Sequence, residues 1–303
     1  MENNLTLGYF MALGAATSWA VGSVLSTGMV RKFGAIHFNM LRMFIIACLL
    51  FAYVFATNGW GHPVLGEVST LLVSGFTGIF LGDTLLFTSV KKLGPRLSGL
   101  LFATNAPITF LVGFFLFGEN HKVSNFVGVT LVFSGVLIAM MFRDADKNLS
   151  ASWDHQKEGW IWGVIAGIGA AIFQSIGSLI AQPVIHKGFD PVFASAIRVS
   201  IGFVALLVTA GSQGPLLKQY RDKQLNKRDI AQITASGMLG MGIGMTLLLG
   251  AMRFAPVGTV AILSSTTPII LLPILWYLTG NAPNIYSILG SILVVAGTGL
   301  VFA

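Results

Sequence analysis

The sequence predicts an all-α integral membrane protein of ten transmembrane helices, arranged as two inverted five-helix repeats over residues 1–148 and 149–303. Three observations predict it. Apolar residues make up 54% of the 303 positions and charged residues only 10%, where soluble domains carry about 25% charged residues, and the mean hydropathy is +0.81. Apolar runs of spanning length recur along the whole chain, and a helix needs about 20 such residues to cross hydrocarbon with its backbone groups satisfied. The chain also repeats itself. Ser74–Gly118 is answered by Ser236–Gly280, with Ser74/Ser236, Gly75/Gly237, Gly78/Gly240, Gly82/Gly244, Thr84/Thr246, Leu85/Leu247 and Leu86/Leu248 identical and Pro107 matched by Pro268. Duplication of one apolar unit is the signature of membrane carriers built from repeats.

The predicted spans are Leu5–Met29, Ala35–Thr57, Val68–Val90, Leu97–Phe117, Val123–Phe142, Gly159–Ile185, Pro191–Ser212, Asp229–Met252, Val257–Thr279 and Asn284–Ala303. No basic stretch precedes the first, so it reads as a span and not as a cleavable leader. Phe254–Ala303 contains no Asp, Glu, Lys or Arg and is too long for one crossing; the Gly-Asn-Ala-Pro-Asn break from Gly280 to Asn284 supplies the turn. The gaps Arg143–Glu158 and Gln213–Arg228 are too short to hold a domain and read as surface loops. The repeat reaches the other helices too. LGAATSWAVGSV at Leu13–Val24 matches IGAAIFQSIGSL at Ile168–Leu179, Arg42 matches Arg198, and Gly128 and Gly135 match Gly290 and Gly297.

Basic residues set the expected orientation. Arg31, Lys32, Lys91, Lys92, Arg96, Arg143, Lys147, Lys157, Lys218, Arg221, Lys223, Lys227 and Arg228 follow the odd-numbered spans, whereas Lys122, Lys187 and Arg253 follow even-numbered ones. The positive-inside rule makes the first set cytoplasmic and puts both termini outside. An odd number of helices per half then turns the second half upside down relative to the first, as alternating access requires. The net charge of +7 is distributed in these short gaps, with no basic face carrying interleaved aromatics, so nucleic acid is not an expected partner.

Certain pieces carry a family resemblance. NAPITFLVGFFLFGEN at Asn105–Asn120 is followed by FVGVTLVFSGVLI, and TTPIILLPILWYLTGN at Thr266–Asn281 by ILGSILVVAGTGLVF. A five-helix unit with a Pro-bearing fourth helix, a short Gly-Glu-Asn or Gly-Asn break and a Gly-spaced final helix, present twice, resembles the ten-helix EamA-type branch of the drug/metabolite transporter superfamily. The resemblance implies a secondary carrier, commonly an exporter of amino acids or other small metabolites. It further implies a central cavity between the halves and peripheral fifth and tenth helices. The second copy departs from the pattern, with Asn281 after Gly280 where the first has Glu119 after Gly118.

Ionisable groups inside spans are functional candidates, because a charge at mid-membrane costs at least about 2.5–3.5 kcal/mol. Asp83, Arg42 and Arg198 qualify. Asp83 has Met245 as its repeat mate, so the carboxylate belongs to one half only. A carboxyl drawn out of water there could exchange a proton near neutrality, which suits proton-coupled export; the structural alternative pairs it with Arg42 or a helix end. Arg42 and Arg198 either snorkel to headgroups along their own stems or face a cavity and clamp an anion. Trp19, Ser23, Asn105, Gln174, Ser178 and Ser265 complete the expected substrate-binding set, against the alternative that the hydroxyls join helices. Trp19, Asn105 and Gln174 are too large for tight helix contacts, and Pro107 frees backbone carbonyls beside Asn105.

Gly14, Ser18, Gly22 and Ser26, like Gly163, Gly167, Ala171 and Ser175, give small residues at four-residue spacing for close helix approach. Trp153, Trp160 and Trp162 read as interfacial anchors. Cys48 is the one cysteine and can form no internal disulfide. His37, His62, His121, His155 and His186 lack metal-ligand spacing, and neither a Walker motif nor a nucleophile elbow is present. The expectation is therefore a non-enzyme without cofactor or metal, acting as a monomer on a small-molecule solute in the bilayer, with the proton as candidate coupling ion. A flippase or interaction subunit for lipid-linked carriers is the alternative.

Overall fold

The computed structural model describes residues 2–61, 63–117, 123–142, 159–211, 225–255, 260 and 263–301, and every regular element among them is helical. In chain order the elements are α1 (Glu2–Phe33), α2 (Ala35–Thr57), α3 (Leu65–Ser74), a first π segment (Gly75–Gly82) and α4 (Asp83–Ala103). After these come α5 (Asn105–Phe117), α6 (Val123–Met141), α7 (Trp160–His186), α8 (Pro191–Gly211) and α9 (Lys227–Gly237). A second π segment (Met238–Met245), α10 (Thr246–Phe254), α11 (Thr267–Thr279) and α12 (Ile285–Val301) complete the fold. Among the described residues, 6 helical runs are long and apolar enough to cross a bilayer, and Val123–Ala139, Thr267–Thr279 and Ile285–Leu300 are shorter apolar helices.

One of those runs, Leu65–Thr109, has 45 residues, well over the length a single crossing needs. It does not continue straight. Gly94 adopts φ 81°, ψ 171°, and Pro95 follows, so the helix stops at a residue that only glycine tolerates there and restarts at the imino acid suited to a first turn. The expected loop between the third and fourth spans is thereby reduced to one residue. Arg96 is a correction: it is 4% exposed and donates through Nη1 to Ser287 Oγ at 2.7 Å, so it is no surface-loop cation. A second departure is Thr104, a one-residue turn separating α4 from α5 where the sequence predicts an unbroken fourth span. By the Pro107/Pro268 match its repeat mate is Ser265, in the turn Ser265–Thr266 just before α11. Gly280, at φ 71°, caps α11 as the sequence predicts. The loops Glu119–Lys122 and Arg143–Glu158, and the start of the ninth span at Val257, lie outside the described residues.

The main apolar core joins α1, α2, α7, α8 and the second π segment through buried residues such as Ala15, Met43, Ile46, Val199, Leu206 and Met241. A separate cluster ties α4 to α6 and α12, through Leu97, Leu101, Val132, Val136 and Val294. Without a hydrophobic drive between helices in lipid, close approach must come from small side chains. On α6 and α12 a Cβ added at Gly135 would stand 2.6 Å from the Gly290 carbonyl oxygen, and one at Gly297 would stand 2.6 Å from that of Gly128. Outward from this pair, Val123, Phe126, Val127, Leu137, Ile285 and Ile292 are exposed, as a lipid-facing surface would be.

Both π segments fall on the repeated Gly-rich stretches. A π turn holds one residue more than an α turn and displaces the regular backbone pairing, so carbonyls become available sideways. In the second segment Leu239 O accepts from Ser18 Oγ at 2.7 Å and Gly240 O from Trp19 Nε1 at 2.9 Å, both donors on α1. From the first half, Ser74 Oγ donates to Gly177 O on α7 at 2.5 Å.

Candidate functional site

A cavity of about 120 Å³ lies between these elements, with walls from α1, α2, α4, α5, α7, α9, the second π segment and α11. That is somewhat below the roughly 150 Å³ cavity that holds benzene, a space for a small organic solute. Seven of the sequence-predicted residues line it: Trp19, Ser23, Arg42, Asp83, Asn105, Gln174 and Ser265. Ser178 and Arg198 do not line it: Ser178 is half-buried on α7, and Arg198 is 1% exposed behind the wall.

Arg42 and Asp83 form the charged part of the wall. Arg42 Nη2 donates to Asp83 Oδ2 at 2.6 Å and to Asn39 Oδ1 at 3.0 Å, and its guanidinium lies 4.4 Å from the Phe87 ring centre and 5.6 Å from that of Phe38. A desolvated guanidinium over an aromatic face gains about 2 kcal/mol, so ring and carboxylate together hold the cation where water does not. Arg42 is 4% exposed and Arg198 1%. Neither snorkels; the stems of both stay inside the helix bundle, because each is packed against the opposite π segment. A Cβ at Gly240 would meet Arg42 Nη1 at 3.2 Å, and one at Gly75 would meet the Arg198 backbone at 2.6 Å.

Arg198 differs from Arg42 in its partners. Its Nη1 reaches Met245 Sδ at 3.4 Å, and its Nε and Nη2 have no hydrogen-bond partner. Thioether sulfur is a weak acceptor. Beside it stands Gln174, 5% exposed, with Oε1 also unpartnered.

The hydroxyl groups are mostly committed. Ser23 Oγ donates to Ala20 O at 2.8 Å within its own helix, and the Asn105 carbonyl accepts from Ser175 Oγ and Thr109 Oγ1, each at 2.8 Å. That carbonyl therefore joins α5 to α7. Size did not keep Trp19 from a tight contact, because Gly244 leaves room: a Cβ there would lie 2.5 Å from Trp19 Nε1. Among the described residues no three His, Cys, Asp or Glu side chains gather as a metal site.

A model of the EamA-like transporter family matches residues 6–141 and again residues 161–303. The chain belongs to the EamA-like transporter family. The uncharacterised transporter YetK of Bacillus subtilis (strain 168) is 28% identical over 179 residues, 58% of this chain and 53% of its own length, so the matched stretch spans about half of that relative. The uncharacterised transporter YxxF of the same organism is 20% identical over 258 residues, 85% of this chain and 76% of its own. A protein of known crystal structure shares the fold, with a TM-score of 0.65 and 17% identity over 99% of this chain and 96% of that one. With its apolar helices, this EamA-like chain is a multi-pass membrane protein.

Sequence reasoning did not single out Met241 and Met245, which line the EamA-like cavity, or Phe87, which stacks on Arg42. The signal for Met245 was present as the repeat mate of Asp83. Phe87 carries no signal, because an aromatic residue in an apolar run looks like lipid-facing or core filling until its neighbours are known.

Proposed function

We propose that this chain is a secondary carrier that moves a small organic solute through the central cavity by alternating access, exporting metabolites of amino-acid size, with a proton on Asp83 as coupling ion. The observation that carries the reading is the Arg42–Asp83 pair on a cavity wall to which both family-matching stretches contribute. Asp83 retains 14% side-chain exposure, so its carboxylate can be reached from within the cavity. Two interruptions near that wall, Thr104 and Ser265–Thr266, fit the broken helices that carriers place around a midplane site. In this reading the halves 1–148 and 149–303 are oppositely oriented, contribute ten crossings, and work as a monomer.

Purified protein in liposomes tests it. Solute-loaded vesicles should show counterflow, and an imposed proton gradient should drive net flux. Asp83→Asn should abolish the driven flux while sparing counterflow. Absence of any flux in either mode would rule the carrier out, and movement of a labelled lipid without solute flux would favour the flippase alternative. Reporters at Lys91 and Lys122 should label from opposite sides; labelling from one side would remove the inverted arrangement.

A further inference from the structure

The repeat carries a second set of charges, away from the cavity wall. Extending the match of Leu13–Val24 with Ile168–Leu179 sets Lys32 against Lys187, and extending that of Ser74 with Ser236 sets Glu67 against Asp229. Among the described residues one of the two combinations is joined and the other is not. Lys32 Nζ donates to Asp229 Oδ2 at 2.6 Å, tying the last turn of α1 to the first turn of α9, and Gln232 Nε2 adds a bond to Leu25 O at 2.9 Å. Glu67 accepts, among these residues, only from the Val64 N–H at 3.4 Å. Lys187 is exposed, and Thr70, in the place of Gln232, bonds Gly66 O in its own helix.

The joined pair stands where the cavity comes nearest an end of α1. Ser26, the last lining residue of that helix, lies about 9 Å along it from Lys32, whereas Trp19, the first, lies about 21 Å from Leu5. On the long side α1 packs closely on the second half: a Cβ at Gly8 would stand 2.9 Å from that of Ala255, and one at Gly14 would stand 3.2 Å from Leu247 Cδ1. On the short side Met29, Val30, Phe33 and Ile233 fill the gap, and the ion pair holds α1 and α9 together over them. The Asp229 side chain is 8% exposed and that of Lys32 35%, so water reaches the ammonium and competes for it. An ion pair of that kind gains little over its hydrated partners, and it breaks and re-forms easily.

Building on the carrier reading, we propose that Lys32 and Asp229 are the latch of a gate at this end of the cavity. While they are joined, the seam between α1 and α9 is shut. When they part, the four apolar side chains beneath them separate and the cavity opens to the side that Lys32 faces. Both are positioning residues, acting through the helices they hold and not on the solute. The mates Glu67 and Lys187 have no such part, so the gate is ionic at one end and apolar at the other.

The test reads access to the cavity and needs no substrate. In a Cys48→Ala background, Ser23→Cys puts a thiol on the cavity wall, and its rate of modification by a membrane-impermeant cationic methanethiosulfonate is measured from each side of sealed vesicles. Lys32→Gln and Asp229→Asn should each speed labelling about threefold from the side that Lys32 faces and leave the other side unchanged. Lys32→Gln keeps the Asp229 capping bonds and carries the test if the Asp229 variant does not fold. Lys32→Arg, which retains the charge, should stay near the parent rate. Added sodium chloride should speed the parent and not Lys32→Gln, because salt screens the partly exposed pair. Glu67→Gln and Lys187→Gln should change neither side. Rates indifferent to Lys32→Gln, equal acceleration from both sides, or the same effect from the Glu67 and Lys187 variants would overturn the latch. One-sided acceleration in a protein that moves no solute in liposomes keeps the latch and removes the carrier reading; solute flux with labelling indifferent to Lys32 does the reverse.

Discussion

The two buried arginines occupy equivalent places and live in different chemistry. Arg42 on α2 lies against the second π segment and Arg198 on α8 against the first, each beside an equivalent glycine, Gly240 for one and Gly78 for the other. Arg42 has a carboxylate, an amide and two aromatic rings around it; Arg198 has a thioether. The scaffold is thus repeated while the charge pairing is not, and one substitution between halves, Asp83 against Met245, accounts for most of the difference. A duplicated frame keeps the positions of both cations, and divergence at the matching site gives one a carboxylate and the other a thioether.

The largest expected effect separates the two by removal. Arg42→Gln leaves the Asp83 carboxylate without its partner in a nearly dry place, and breaking such a pair costs about 3 kcal/mol or more; Arg198→Gln removes a cation whose Nη1 meets the Met245 thioether and which feels Asp83 only at longer range, and should cost much less. Chemical or thermal unfolding of both variants in one detergent checks the contrast, and equal losses would erase it. A smaller effect is expected from Met245→Asp. An aspartate Oδ stands the same number of bonds from Cα as the methionine Sδ that now meets Arg198 at 3.4 Å, so the substitution gives Arg198 the partner Arg42 already has. It should stabilise by at most about 2 kcal/mol, read as a raised unfolding midpoint in the same detergent; an unchanged or lowered midpoint would show that the two sites are not interchangeable. The smallest contrast is between the glycines. Gly78→Ala sets a methyl 3.1 Å from Arg198 Nη2 and 3.3 Å from the Gly177 Cα, whereas Gly240→Ala meets Arg42 Nη1 at 3.2 Å and nothing of the backbone that close. Overpacking of this kind costs about 1–3 kcal/mol, and the Gly78 variant should show the larger loss in the same unfolding measurement.

Much of this frame was legible in the chain because bilayer crossing imposes length and composition, and because duplication writes each constraint twice. Arg42, Asp83 and Arg198 stood out for the simple reason that charge is rare in such segments. Their different fates were not legible. Whether an arginine finds a carboxylate depends on which helix crosses which, and the repeat alignment equates positions without saying that α2 meets the second π segment and α8 the first. The π segments themselves have no compositional signature; Gly75, Gly78 and Gly82 marked the duplication and were silent about the widened turn. Thr104 and the commitment of the Asn105 carbonyl to Ser175 likewise depend on the local path of the backbone, which hydropathy does not encode.

The widened turn at Gly75–Gly82 also changes how the third crossing responds to a change in chain length. A π turn accommodates one surplus residue, so losing a residue there lets the helix relax to regular winding with the azimuth of everything beyond it preserved. Asp83 would still look toward Arg42. A similar loss in the regular part of α1 would rotate all that follows by about 100° and swing Trp19 off its carbonyl on the facing helix.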